Sequence, residues 1–192
     1  MTYLVLGLFI FLGVHSVRIV ADGWRTRTRA RLGALPWKGL YALASLLGLA
    51  LIVWGFGLAR QQPLQLWSPP LAMRHLASLL TLISFVLLAA AYVPGNSIKA
   101  RLHHPMVLAV TVWALAHLLS NGNLAHVLLF GSFLLWAIVD FSAARRRDRL
   151  AGTRYAVGTT GRTGITVALG VGGWIAFALW LHGLLIGVRP LG

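Results

Sequence analysis

The sequence predicts an all-α fold, a polytopic membrane bundle of six transmembrane helices, and its composition carries this prediction. Hydrophobic residues make up 58% of the 192 residues, and the mean hydropathy is +0.80, whereas a typical soluble domain is about 45–50% apolar. Only 10% of the residues are charged, and they fall in short segments between long apolar stretches. A transmembrane β-barrel would require apolar and polar residues to alternate, and no such alternation is present.

Six apolar stretches follow one another along the chain. A membrane-spanning helix needs about 20 mostly apolar residues. The predicted spans cover residues 3–21, 39–59, 71–93, 105–119, 124–141 and 164–188. The fourth and fifth are short and are separated by the turn Ser120-Asn121-Gly122-Asn123, which predicts an antiparallel helical hairpin. The six spans form one transmembrane domain over residues 1–192, with no soluble domain.

Basic residues are distributed unequally between the two sets of loops. The odd loops hold 13 of them and the even loops with the C-terminus hold three. The positive-inside rule therefore predicts cytoplasmic odd loops and both termini in the periplasm. The 13 residues are Arg25, Arg27, Arg29, Arg31, Lys38, Lys99, Arg101, Arg145, Arg146, Arg147, Arg149, Arg154 and Arg162.

The formal charge of +14 and the pI near 11.9 are also typical of nucleic-acid-binding proteins. Here the cations flank apolar spans, as membrane orientation requires. We therefore expect the basic loops at residues 22–38 and 142–163 to lie against the anionic headgroups of the lipid bilayer, and we expect no nucleic-acid partner.

The sequence is rich in histidine and poor in other metal ligands: it has seven histidines, three carboxylates and no cysteine. Zinc and di-iron sites usually recruit carboxylates or cysteines, and proton relays favour Asp and Glu. Haem requires one or two neutral imidazoles and an apolar slot. The composition therefore favours haem b, and the lack of cysteine excludes covalent c-type attachment.

Four histidines lie within predicted spans, and two of them are the most central in depth. His15 and His117 are this central pair, and a haem iron needs imidazoles on both sides of its plane. The alternative is a site nearer the outer surface, formed by His117 with His182 or His75. Each of these histidines could instead hydrogen-bond a carbonyl on a neighbouring helix.

Three further residues are candidates for cofactor binding. Arg18 follows His15 by three residues on the same helix face, where a guanidinium can hold a haem propionate; it can equally extend to the headgroups or pair with Asp22. Trp113 shares a helix face with His117 and is a candidate wall of a haem pocket, or a packing residue.

His104 is the third candidate for cofactor binding. His103 and His104 directly precede Pro105. These positions favour interfacial residues that open a helix with proline in its first turn.

Several motifs resemble the NnrU family of bacterial membrane proteins over nearly the whole length. They are GVHSVR at 13–18, KGLYALAS at 38–45, HPM at 104–106, WALAHLL at 113–119, NG at 121–122, FGSF at 130–133, and WA at 136–137 with Asp140. The most specific feature is the His-Pro and Ala-His pair formed by His104 and His117, followed by the Asn-Gly turn.

The resemblance implies a function and a site. NnrU proteins are associated with nitric oxide and nitrite metabolism in denitrifying bacteria, which implies the bacterial inner membrane. The family is related to cis-zeta-carotene isomerase, a membrane haem b enzyme with histidine ligands. Carried over by motif, the ligands map to His15 and His117, with His104 opening the second motif. The lack of cysteine departs from any mechanism that uses a thiolate as an alternative iron ligand.

Three functions remain open from the sequence. One is a haem protein that serves nitrogen-oxide metabolism beside respiratory or denitrification membrane proteins. The second is a haem-dependent cis-trans isomerase of a lipophilic, carotenoid-like polyene. The third is a non-enzymatic assembly partner of a respiratory complex, for which the glycine-rich stretch Gly170-Val171-Gly172-Gly173 is a candidate contact face.

Overall fold

The fold is known from a computed structural model that describes residues 1–191. Its elements are α1 (Thr2–Val20), α2 (Asp22–Leu32), α3 (Ala34–Ala59), α4 (Leu71–Tyr92), α5 (Ser97–Leu102), α6 (Pro105–Ser120), α7 (Leu124–Ala151), α8 (Thr160–Ala176) and α9 (His182–Ile186). A π-helical turn, Phe177–Leu181, joins α8 to α9. Since residues 1–191 contain isolated bridges but no β-strand, the all-α prediction is confirmed.

Five helical segments are long and apolar enough to cross a membrane: α1, α3, α4, α7 and the continuous stretch Thr160–Ile186. The chain is therefore a multi-pass membrane protein. Helix α6 is apolar but has only 16 residues, which corresponds to about 24 Å of helix against a hydrocarbon core of about 30 Å. The sixth span and the periplasmic termini remain predictions.

The first basic loop is helical, contrary to the prediction. It forms α2, and α3 begins at Ala34, five residues before the predicted start of the second span. Gly33 separates the two helices with φ of +87°, a conformation that glycine adopts without strain. Pro36 fits within the first turn of α3 because the N–H groups there have no intrahelical acceptor.

The fifth span also continues further than predicted. Helix α7 runs ten residues beyond Phe141, to Ala151, and α8 begins at Thr160, so most of the loop predicted at 142–163 is helical. The added segment contains alanine, arginine and leucine, which are strong helix formers even where they are polar. The helix ends at Gly152, which has φ of +59°.

The chain divides into two compact units. The first unit contains Met1–Ser68 and Gly122–Asp140, and the second contains Pro69–Asn121 and the chain from Phe141 onward. The boundary within α7 falls between Asp140 and Phe141.

In the first unit, α1 and α3 pack with their backbones in contact. A Cβ atom on Gly55 would lie 2.2 Å from the Leu4 nitrogen, and one on Gly48 would lie 2.8 Å from the Phe11 nitrogen. A Cβ on Gly7 would lie 2.8 Å from the Gly48 oxygen. These pairings run in opposite directions along the two helices, so α1 and α3 are antiparallel.

In the second unit, α4 packs against both α6 and α8 and is tied to each by a polar side chain. The buried Ser84 hydroxyl donates to the Ala109 carbonyl of α6 over 2.8 Å, and the Trp174 indole of α8 donates to the Thr81 hydroxyl over 3.1 Å. Gly170 allows the backbones of α8 and α4 to touch.

Three other glycines do not support close packing. No described atom lies within 4 Å of a Cβ placed on Gly13, Gly131 or Gly172.

Candidate cofactor site

His15 lies in α1, surrounded by aromatic rings of the first unit. Its imidazole stacks on Phe11 with 4.2 Å between ring centroids, and it meets Tyr41 and Trp136 edge-on at 5.3 and 6.2 Å. Tyr41 comes from α3 and Trp136 from α7. Three helices of this unit therefore place aromatic side chains around one partly buried imidazole.

The hydrogen bond made by His15 determines its tautomer. Nδ1 lies 2.7 Å from the Phe11 carbonyl oxygen, and because a carbonyl only accepts, Nδ1 carries the proton. Nε2 is therefore the ring nitrogen that is left to act as an acceptor or a metal ligand. A ring N–H held by a carbonyl is the arrangement found behind metal-bound histidines.

Trp136, beside His15, has a buried indole N–H without an acceptor. Within residues 1–191, it is the one buried side-chain nitrogen or oxygen that lacks a hydrogen-bond partner. A buried unsatisfied donor costs about 1–3 kcal/mol, and such a group calls for an explanation. An acceptor supplied by a bound molecule would remove that cost.

Arg18 forms an ion pair with Asp22, which the sequence offered as an alternative to holding a haem propionate. Its Nε lies 4.0 Å from Asp22 Oδ1, with the side chains 58% and 47% exposed. Arg25 approaches the same oxygen to 3.4 Å. A pair so exposed contributes little, so Arg18 can exchange Asp22 for another carboxylate at low cost; binding of a propionate remains a prediction.

His117 lies in α6, in the second unit, and repeats the pattern of His15. Its Nδ1 is 2.8 Å from the Trp113 carbonyl oxygen, so the same argument leaves Nε2 as the nitrogen able to ligate a metal. The Trp113 ring lies 5.2 Å from the imidazole, which confirms that the two side chains share a face.

The structure groups the predicted site residues by unit. His15 and Arg18 belong to the first, whereas His104, Trp113 and His117 belong to the second. Residues 1–191 contain no cluster of three His, Cys, Asp or Glu side chains able to hold a bare metal ion. Haem does not need such a cluster because the porphyrin supplies four of the iron ligands.

His75 and His182, which the sequence offered in place of His15 as partners of His117, have different surroundings. His75 is exposed on α4. His182 is only partly buried, and its Nδ1 lies 2.7 Å from the Val188 carbonyl oxygen.

His104 directly precedes α6, which begins at Pro105 as predicted, but its side chain makes no capping hydrogen bond. It belongs instead to a polar cluster that the sequence did not predict. Its Nε2 lies 2.7 Å from Asp148 Oδ2 near the end of α7. The Tyr155 hydroxyl donates to the same oxygen over 3.0 Å. His103 stacks on Tyr155 at 4.1 Å and contacts Arg145.

The cluster perturbs two pKa values beyond the apolar part of α7. Desolvation raises the pKa of Asp148, but hydrogen bonds from His104 and Tyr155 and the charges of His104 and Arg145 outweigh it and leave the pKa below its usual value. Desolvation together with the bond to Asp148 raises the pKa of Tyr155. Asp148 is therefore held as a carboxylate and Tyr155 as a phenol.

Sequence reasoning missed Trp136, Asp148 and Tyr155. Trp136 stands in one of the motifs that carry the family resemblance, which was an available signal. Asp148 is one of only three carboxylates in the chain. Tyr155 lies in a polar segment with no periodicity, so no local signal identified it.

These observations define a multi-pass α-helical membrane protein whose apolar helices carry imidazoles with defined tautomers. The chain belongs to the NnrU family, since the model described as "NnrU protein" matches residues 3–190. The family resemblance read from the motifs is thereby confirmed. No curated protein and no solved structure matches the chain.

Proposed function

We propose that this NnrU-family protein binds haem b in the bacterial inner membrane, with His15 and His117 as iron ligands, and serves nitric oxide and nitrite metabolism. The observation that carries the proposal is the surroundings of His15: an imidazole whose Nε2 is left to act as a metal ligand, beside a buried indole donor that lacks an acceptor. His117 is the second ligand because its tautomer is the same and because the family motif includes it.

Haem carries two propionates, and the first unit offers two donors for such groups. Trp136 provides the unsatisfied N–H. Arg18, less than one helical turn after His15, provides a guanidinium held only by an exposed ion pair. Charge-assisted hydrogen bonds of this kind are about twice as strong as neutral ones. His104 and Trp113 are proposed to support the His117 side.

When bound, haem b would supply a redox-active iron, and nitric oxide would bind to it in place of one of the two histidines. The protein's contribution would be to orient two imidazoles on apolar helices, because the Phe11 and Trp113 carbonyls accept the Nδ1 hydrogen bonds and leave Nε2 as the nitrogen for the iron. The link to nitrogen oxides comes from the family.

Absorption spectra of the detergent-purified protein, oxidised and dithionite-reduced, test the ligand assignment. We expect a Soret band with sharp reduced α and β bands, lost in His15→Ala and in His117→Ala. The matched controls His75→Ala and His182→Ala should keep both. A wild type that stays colourless after incubation with haemin would overturn the haem proposal. Loss of the bands in His75→Ala or His182→Ala would overturn the assignment of His15 and His117 as the two ligands.

Trp136→Phe tests the indole donor separately. The substitution keeps an aromatic ring but removes the N–H, so the haem-free protein should lose no hydrogen bond. Retention of haem during apomyoglobin competition should fall about tenfold if the indole holds a propionate, which corresponds to about 1.4 kcal/mol. Unchanged retention would remove Trp136 from the site.

Substrate assays separate the proposed activity from the polyene isomerase. The reduced protein should shift its Soret band on addition of nitric oxide and leave a cis-polyene unconverted over hours in vesicles. Turnover of the polyene without a response to nitric oxide would favour the isomerase. Absence of both, together with co-purification of a respiratory complex, would favour the assembly partner.

We further propose six membrane crossings with both termini in the periplasm. The support is the distribution of basic residues and the apolar character of α6, whose 16 residues span a locally thinned bilayer. Reporter fusions at each terminus test it, because five crossings would place the termini on opposite sides and six place them on the same side.

A further inference from the structure

A groove on α2 is lined by two guanidinium groups one helical turn apart. The groove is open to solvent, has a volume of about 280 Å³, and is lined by Arg25, Thr26, Arg29, Ala30 and Ala34. One water occupies about 30 Å³ of the liquid, so the groove has room for a far larger polar group. The lining combines fixed positive charge, a hydroxyl and small side chains, which suits an anion.

Positive charge is concentrated at this end of the first unit. Residues 18–38 contain six Lys or Arg side chains and one carboxylate, Asp22. The Asp22 carboxylate lies 3.4 Å from Arg25 and orients that guanidinium. Since arginine has five N–H donors, Arg25 keeps donors for a second anion.

The groove lies beside the ends of two helices of membrane-spanning character. Helix α2 is separated by a single residue from each of two helices of membrane-spanning character, α1 and α3. Trp24 and Trp37 meet edge-on at 5.9 Å between ring centroids, and paired tryptophans of this kind are typical of membrane interfaces.

We propose that the α2 groove, formed by Arg25, Thr26 and Arg29, is a specific binding site for the phosphate of an anionic phospholipid. Each arginine guanidinium can donate two parallel hydrogen bonds to phosphate oxygens, and the Thr26 hydroxyl supplies a further donor. The glycerol and acyl chains then extend along the apolar helices below. A phosphatidylglycerol headgroup has this chemistry.

The helix itself supplies the matched control. Positions 25 and 29 lie on one face, whereas Arg27 and Arg31, two residues further along, lie on the opposite face. Removing either pair subtracts two charges from the same helix. A discrete site and a diffuse basic surface therefore make different predictions for the two double variants.

The test uses the full chain, delipidated in detergent, with lipid binding followed by native mass spectrometry. The probes are dioleoyl-phosphatidylglycerol, dioleoyl-phosphatidylcholine and inorganic phosphate. We expect wild type and R27Q/R31Q to bind one phosphatidylglycerol with affinities within about twofold, and R25Q/R29Q to bind it about tenfold more weakly. Circular dichroism confirms that each variant keeps its helix content.

R25K/R29K keeps the charge but removes the bidentate geometry, so it should also bind phosphatidylglycerol more weakly than wild type; it serves the same test if R25Q/R29Q misfolds. Equal losses in R25Q/R29Q and R27Q/R31Q would overturn the site in favour of diffuse charge. Binding of phosphatidylcholine as tight as that of phosphatidylglycerol would overturn the anionic ligand. Saturation by inorganic phosphate with no binding of phosphatidylglycerol would identify a free phosphate site instead of a lipid site.

Discussion

The two units of this protein hold their helices together in different ways. In the first, α1 and α3 touch backbone to backbone through Gly7, Gly48 and Gly55. In the second, the buried Ser84 hydroxyl ties α4 to α6, and a hydrogen bond from the partly buried Trp174 indole adds to the backbone contact that Gly170 allows between α8 and α4. Lipid gives little hydrophobic drive for helices to associate, so each unit depends on close packing or on polar bonds. The comparison teaches that close contact at small residues can hold helices together by itself, as in α1 and α3, or together with side-chain hydrogen bonds, as in α4 and α8.

The largest expected effect is that of Gly55→Leu. A Cβ at this position would lie 2.2 Å from the Leu4 backbone nitrogen, so α1 and α3 must separate, and overpacking typically costs about 1–3 kcal/mol, occasionally more. Thermal unfolding in detergent should show a large loss. Gly57→Ala is the control in the same helix, where no described atom lies within 4 Å, and it should leave stability unchanged or slightly raised. An equal loss of stability in Gly55→Leu and Gly57→Ala would contradict the backbone contact between α1 and α3.

A second, pH-dependent effect is expected for Asp148→Asn. Because the folded pKa of Asp148 is lowered, its stabilisation is present above the unfolded value near 3.9 and is lost as pH falls through the lowered folded pKa. The unfolding temperature of the variant should lie below wild type at neutral pH, and the gap should close in acid. Asp22→Asn, at a more exposed carboxylate, should show a smaller gap.

The same variant should lower the pKa of Tyr155. Removing the negative hydrogen-bond acceptor leaves desolvation as the remaining cause of the upward shift. Ultraviolet titration of tyrosinate, with Tyr155→Phe subtracted to isolate this phenol, measures the change. An unmoved pKa would show that the contact is absent in solution.

A moderate effect is expected for Ser84→Ala. The substitution removes the bond to the Ala109 carbonyl, and interhelical hydrogen bonds in membranes average about 0.6 kcal/mol. Thermal unfolding should show a loss well below that of Gly55→Leu. A comparable loss would mean that hydrogen bonds dominate the second unit as strongly as backbone contact dominates the first.

The smallest effect on stability is expected for Arg18→Gln. Its ion pair with Asp22 spans 4.0 Å between exposed side chains, and such pairs contribute about 0–1 kcal/mol. The unfolding temperature of the variant should hardly differ from that of wild type, and this small difference should not depend on salt concentration. A marked loss would show that Arg18 has a structural role beyond this pair.

The sequence by itself determined where the apolar helices lie, and the reason is local. Runs of apolar residues with few charges cannot satisfy their backbone in lipid except as helices, so five segments matched the prediction to within a few residues at most ends. The exceptions, α2 and the last ten residues of α7, are charged stretches with strong helix formers, which hydropathy alone does not register as helix.

The sequence also determined the chemical inventory of the candidate site: histidines without cysteine and with few carboxylates. Only the tertiary structure decided which glycines touch a neighbouring helix. Gly55 and Gly57 both lie in an apolar part of α3, but only Gly55 lies on the face that contacts α1. The tertiary structure alone paired His104 with Asp148, 44 residues away, and brought Trp136 beside His15. Contacts between distant residues depend on how helices pack, and no local pattern in the chain records that packing.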